Sequence, residues 1–184
     1  MGILLTRATI ITGEQNDKVI TNGAVAIDND IIIDVGDSDL LESKYQNFDK
    51  YVLKNRLIIP GLINNHTHTV LNVLRGAIEN AGSADRVYGY MVPISFVMTD
   101  EDRQALAAVG CLEAIKSGTT TLVDPLRFVN SYAETMANTG LRLYLAESAA
   151  DAVTTEIRTS GYRYDKSWGE AFLKRTLELI DNHH

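Results

Sequence analysis

Hydrophobic and polar positions change their rhythm once along this chain, near residue 56. Before that point, short apolar runs rich in β-branched residues are separated by turn residues. Ile3 to Thr12 ends at Gly13, and the runs Ala24 to Asp28 and Ile31 to Val35 flank Asn29-Asp30, which has the make-up of a two-residue hairpin turn. Tyr51 to Leu53 reads as a further strand. Residues 1–56 are therefore expected to form part of a small β-sandwich, and nothing in them resembles a nucleophile or a metal cluster.

From residue 57 to 184 the pattern becomes strand, then helix, then strand. Leu57 to Asn64 is an apolar run broken only by Pro60-Gly61. Thr99 with Asp102 predicts a helix start, and Leu106, Val109, Leu112 and Ile115 then recur at helical spacing up to a stop at Gly118. Thr119 to Asp124 predicts a buried strand, Asn130 to Asn138 a second helix ending at Gly140, and Leu141 to Leu145 a third strand. Ser167 and Glu170 form the pattern of a capping box, ahead of Phe172, Leu173, Leu177 and Ile180 on one helix face. Strands alternating with helices of this length indicate βα units on a parallel sheet, so the fold class is α/β. A closed (β/α)8 barrel takes about 250 residues. Residues 57–184 are expected to supply its first three or so βα units, leaving the barrel incomplete in this chain.

Composition narrows the function classes. With 24 acidic and 17 basic side chains, a net charge of −7 and a pI near 5.0, the chain lacks the basic patch that nucleic acid or an anionic membrane requires. Its apolar runs are too short to span a bilayer, and no secretory signal is visible. The start Met-Gly-Ile-Leu-Leu-Thr matches an acylation pattern at Gly2 only formally and is read as a chance match. Cys111 stands alone, which fits a reducing compartment. A soluble, cytoplasmic protein is expected.

The chemistry concentrates in Ile59-Pro60-Gly61-Leu62-Ile63-Asn64-Asn65-His66-Thr67-His68. Side chains alternate across a strand, so His66 and His68 are expected on one side of it with Thr67 turned away. Two imidazoles together at the C-terminal end of a barrel strand suit one divalent cation, with a position left open for water. Two hydrogen-bonded histidines in a polar loop is the competing reading, and the apolar run with Pro-Gly leading into the pair favours the metal. Asn64 shares the parity of the pair and is a candidate for substrate binding or for strand-end hydrogen bonding. Arg75 is a candidate for substrate binding or for packing beneath the loop, and Glu147 for lining a substrate cavity or standing as an exposed loop carboxylate. Asp124, before Pro125, reads as a turn or cap, with a catalytic role as the alternative, and Arg142 as structural. Tyr88-Gly89-Tyr90-Met91-Val92-Pro93 reads as an aromatic cover over a pocket or as simple packing.

The run Pro60 to His68 resembles the signature of the amidohydrolase superfamily. Leu74-Arg75-Gly76, together with Glu113, Ser117-Gly118-Thr119-Thr120-Thr121 and Asp124, resembles the branch of ring deaminases and triazine or chlorohydrolase-type enzymes. The resemblance implies hydrolysis of a non-peptide carbon–nitrogen bond in a small nitrogen heterocycle, by water activated on one divalent metal ion, zinc first and iron as the alternative. A related hydrolase of cyclic amides or ring carbon–halogen bonds is a second reading, and a non-catalytic metal-binding relic a third. His66 and His68 carry over as metal ligands. The family's further histidines and its proton-shuttling aspartate have no match here, because His183 and His184 stand at the end of the last helix. The catalytic groups are expected beyond residue 184, the chain alone is expected to be inactive, and a homo-oligomer is expected for the full-length form.

Overall fold

The computed structural model describes residues 2–13 and 18–183. The start at Met1 and the reading of His184 lie outside the described residues. The chain divides into two compact units, residues 1–60 and 61–184.

In the first unit, β1 (Gly2–Ile11), β2 (Val19–Asp28), β3 (Ile31–Asp37), β4 (Asp49–Val52) and β5 (Leu57–Ile58) form one sheet in the order β3-β2-β1-β4, with β5 also pairing β1. The alternation in β1 is clean: Leu4, Thr6, Ala8 and Ile10 are buried while their neighbours are not. Asn29, at φ 54°, makes the tight turn that pairs Ile27 with Ile32 and Asp28 with Ile31. Where a β-sandwich was expected, the described residues of this unit thus build a single sheet. Against it lies a helix the apolar pattern does not announce, α1 (Ser38–Lys44). It is too short for a periodic face and starts from its cap, where the Asp37 carboxylate accepts from the backbone N–H groups of Asp39 and Leu40. Its Leu41 packs on Leu4, Ala24 and Ala26. Beside it, Glu42 accepts from Thr6 Oγ1 at 2.7 Å, Arg7 Nε at 3.0 Å and Lys50 Nζ at 3.1 Å. The Thr6 hydroxyl, then Lys50 and Arg7, hold the Glu42 carboxyl down at about 2.

In the second unit, β6 (Leu62–Asn64), β7 (Thr119–Leu126) and β8 (Arg142–Glu147) form a three-stranded sheet, parallel throughout and in sequence order. The apolar run from Leu57 to Asn64 is therefore two strands and not one. Pro60 has no N–H to give a ladder, and the run breaks there: Leu57 and Ile58 pair with β1, and Leu62 to Asn64 with β7. A π-type segment, Asp85–Met91, runs into α2 (Val92–Val97), which places the aromatic stretch on a helix with Pro93 in its first turn. Then come α3 (Asp100–Lys116), α4 (Ala133–Ala137), α5 (Ile157–Ser160) and α6 (Lys166–His183). The Thr99 capping box forms with Asp102, and Gly118, at φ 87°, ends the turn after α3.

Two helix faces differ from expectation. Arg103, Ala107 and Cys111 are the buried positions of α3, whereas Val109, Leu112 and Ile115 are exposed. In α6 the buried residues are Phe172 and Leu179, with Leu173, Leu177 and Ile180 exposed. The α6 cap also shifts: Asp165 Oδ1 accepts from the N–H of Ser167 and of Trp168, and Glu170 instead approaches Lys166. An ionised carboxylate is a stronger acceptor than a serine hydroxyl, so the cap forms two residues earlier.

Glu147 requires a correction. It neither lines a substrate cavity nor stands exposed at a loop. Its side chain is 0% exposed, accepting from the backbone N–H groups of Phe128 (2.9 Å) and Val129 (3.0 Å) and from Arg175 Nε (3.0 Å). Phe128 has φ 60°, a left-handed conformation rare for a bulky residue, and Glu147 holds it there. The guanidinium groups of Arg103 and Arg175 sit 4.4 and 4.9 Å from the Phe128 ring centre. The carboxylate locks the end of β8 to the end of β7 and to α6.

Two outcomes are expected. Glu147→Ala strands two N–H groups and a guanidinium, and removing one partner of such a buried pair costs about 3–5 kcal/mol. Denaturant unfolding followed through Trp168 reads that loss, and a cost below about 1 kcal/mol contradicts the brace. Glu42, depressed in the folded state, stabilises the first unit above the ordinary carboxylate range; that contribution fades as pH falls from about 4.5 toward about 2. Amide exchange in β1 should show the fading in the wild type and a shallower pH slope in Glu42→Gln.

Candidate metal centre

The histidine pair stands just past the strand and not on it. β6 ends at Asn64, and His66 and His68 occupy the irregular segment before a 3-10 stretch, Thr69–Leu74. Four contacts fix that segment. Asn64 Oδ1 accepts from His66 N at 3.2 Å, a side-chain turn that aims the chain out of the sheet. Thr67 N donates to Val123 O at 2.9 Å, continuing the attachment to β7 past the last paired residue of β6. Thr69 donates twice to Asp124 Oδ2, from N at 3.1 Å and from Oγ1 at 2.6 Å. Strand alternation therefore does not place the pair: the residues lie past the strand end, and Thr67, expected to turn away, borders the same cleft as His68.

The imidazole centres lie 4.8 Å apart with planes at 73°. His66 is exposed, while the His68 side chain is 22% exposed and has its Nδ1 buried. Nδ1 of His68 faces Oδ1 of Asp124 at 3.7 Å, and neither atom has a hydrogen-bond partner. The donor set suits a borderline cation such as zinc, which takes neutral imidazole nitrogen. It is half a set: among the described residues no group of three or more His, Cys, Asp or Glu side chains is placed to hold a metal ion.

α3 approaches this segment closely at Gly110, where an added Cβ would lie 2.8 Å from the carbonyl oxygen of Thr69. Only glycine allows that approach. Beside the segment lies an open cleft of about 510 Å3, bordered by Asn64, His68, Asn72, Arg75 and Glu113. Arg75 reaches the cleft wall, but its guanidinium is taken by Glu113 through two 2.7 Å hydrogen bonds. Each partner stabilises the other's charge, Glu113 shifted down and Arg75 up. Both are exposed, so the pair ties the loop after His68 to α3 more than it contributes energy. Of the sequence candidates, Asn64, His68 and Arg75 border one cleft and His66 adjoins His68, while Glu147 is buried in its own brace. Sequence reasoning passed over Thr69 and Gly110 and favoured a turn or cap over a catalytic role for Asp124. The signals for Asp124 were its part in the resemblance and its place late in the strand after the one leading to the histidines.

Comparison with known proteins follows this geometry. A 5-methylthioadenosine/S-adenosylhomocysteine deaminase of Acetivibrio thermocellus is 30% identical over 190 residues, covering 100% of this chain and 43% of that protein. A 5'-deoxyadenosine deaminase of Methanosarcina barkeri is 27% identical over 186 residues, covering 98% of this chain and 42% of that protein. The chain thus spans less than half the length of these relatives. Among solved structures, an atrazine chlorohydrolase of Arthrobacter aurescens TC1, complexed with zinc, superposes with a TM-score of 0.79 at 20% identity, over 99% of this chain and 43% of that one. That likeness identifies the parallel sheet and its helices as the opening part of a (β/α)8 barrel. The sequence pattern of the Amidohydrolase family matches residues 57–178, from the strand before the histidine pair through most of α6. With the pair, the barrel strands and that match in agreement, the chain belongs to the amidohydrolase family.

Proposed function

We propose that this chain is the amino-terminal part of a metal-dependent hydrolase that removes the amino group from the purine ring of an adenosine carrying a modified 5′ position. The observation that carries the reading is the pair His66 and His68, 4.8 Å apart at the C-terminal end of the first barrel strand. The substrate class rests on the deaminases that match this chain along nearly its whole length. Imidazole nitrogen accepts zinc and iron alike, so the choice of zinc rests on the zinc in the chlorohydrolase of the same fold. When bound, such a cation supplies a water of lowered pKa near neutral pH.

The residues of this chain bind and orient. His66 and His68 offer ring nitrogens, Asn64 fixes the backbone of His66, and Arg75 borders the cleft with its charge steadied by Glu113. The described residues provide no third ligand beside the pair. A positioned proton carrier is worth about 10²–10⁴-fold in rate, so these 184 residues alone should turn over substrate at least about 100-fold more slowly than the longer polypeptide of which they are the start. The lone, buried thiol of Cys111 supports a reducing setting, the cytoplasm.

The test compares the 184 residues with the polypeptide read from the gene past His184. Ammonia release is assayed over 5′-modified adenosines, pyrimidines, pterins and amino-triazines, and chloride release over chloro-triazines. The longer polypeptide should act on the adenosines, and the double variant His66→Ala/His68→Ala should lose its zinc by elemental analysis. Activity confined to chloro-triazines, or zinc unchanged in the double variant, overturns the reading.

A further inference from the structure

Asp124 is the most deeply buried carboxylate beside the histidine pair, and the contacts described so far use only one of its two oxygens. Its side chain is 0% exposed. Oδ2 takes both Thr69 donors, at 3.1 and 2.6 Å. Oδ1 is buried without a partner, and the atom opposite it, His68 Nδ1 at 3.7 Å, is also buried without a partner. An uncompensated buried carboxylate oxygen is costly, and so is an uncompensated imidazole nitrogen. Each is the natural complement of the other, lying just outside the hydrogen-bond range of about 2.7–3.2 Å.

From this juxtaposition we propose that Asp124 is a positioning residue that fixes the tautomer of His68. It holds the ring proton on Nδ1 and so leaves the Nε2 lone pair free for a cation. The inference rests on the metal reading of the pair and adds to it which nitrogen binds and what sets it. A carboxylate can only accept in this position, so His68 Nδ1 must donate. The same residue also holds the backbone of Thr69, the next residue along, so tautomer and ring position are set together. This arrangement gives Asp124 a task beyond that of a turn former. A turn needs only Oδ2.

The isosteric change Asp124→Asn separates the two roles. An amide has one acceptor oxygen, and Thr69 presents two donors to it. With the oxygen kept on Thr69, the NH2 group faces His68 Nδ1 and makes that nitrogen an acceptor, moving the ring proton to Nε2. The experiment uses the longer polypeptide, read from the gene past His184, with 15N-labelled histidine at about pH 8. Ring nitrogen shifts are recorded without metal and through a zinc titration. In the wild type His68 should carry its proton on Nδ1, and zinc should move Nε2. In Asp124→Asn the proton should shift to Nε2, and the half-saturating zinc concentration should rise about 10–100-fold, the usual cost of losing such a partner. Thr69→Val, which removes the hydroxyl donor but leaves Oδ1 free to face His68, should keep the wild-type tautomer.

A wild-type His68 protonated on Nε2 overturns the inference even if the Asn variant does not fold. So does a folded Asp124→Asn with unchanged tautomer and zinc affinity. Failure of the metal reading looks different: zinc then fails to shift His66 and His68 in the wild type, whatever the tautomer of His68.

Discussion

The hold of β7 on the segment after β6 is the constraint on which the candidate centre depends. β6 is three residues long and ends before either histidine, so both imidazoles stand on irregular backbone. Irregular backbone lying against a core must still satisfy its polar groups. Val123 O satisfies Thr67 N, and Asp124 satisfies Thr69 N. Gly110 lets α3 come close enough to seal the far side of Thr69. Removing a carboxylate from water costs several kcal/mol unless hydrogen bonds replace its hydration. Two donors from Thr69 replace part of it, which explains why one oxygen can be left to face His68.

The sequence made the elements legible wherever they depend on local chemistry. The Asn29 turn, the Thr99 capping box and the glycine after α3 appear where their residues place them, because each is a backbone requirement met by a few neighbours. The histidine pair was expected together from strand alternation, whereas the structure brings the rings to 4.8 Å on irregular backbone past the strand. What could not be read was the result of competition or of distance. Asp165 outcompetes Ser167 for the start of α6 because both can reach the same N–H groups and the ionised acceptor is stronger. Glu147 looks like a loop carboxylate until Phe128 and Arg175, 19 and 28 positions away, close on it. The apolar run from Leu57 to Asn64 carries the right residues for one strand, and only the pairing partners reveal two.

Helical spacing misassigned two faces for a related reason. Val109, Leu112 and Ile115 on α3, and Leu173, Leu177 and Ile180 on α6, are periodic and apolar, yet the described residues of the second unit leave them exposed. Periodicity marks a face fit for burial; it does not say what buries it. The core of this unit is built from other positions, Ala107 and Cys111 of α3 and Leu179 of α6, packed with Leu122, Leu126, Tyr132 and Met136. Burial there pushes the Cys111 thiol and the Tyr132 hydroxyl upward in pKa, so both stay neutral and act as packing groups at ordinary pH.

These separations bear on how the centre can work. The groups that orient His66 and His68 (Asn64, Thr69, Asp124 and the backbone of Val123) all lie within one strand pair and its adjoining segment. The second strand junction, from Leu126 to Val129, is stiffened independently by Glu147, Arg175 and the stacked Phe128 ring. A ligand held on such a frame keeps its direction without help from the rest of a barrel, and precise ligand direction is what metal affinity demands. Turnover demands more, a further ligand and a proton carrier that the described residues do not place beside the pair. On the proposed function, orientation of the imidazoles and catalysis are therefore separable. The first is built into the contacts between β6, β7 and α3, and the second requires chemistry brought to them.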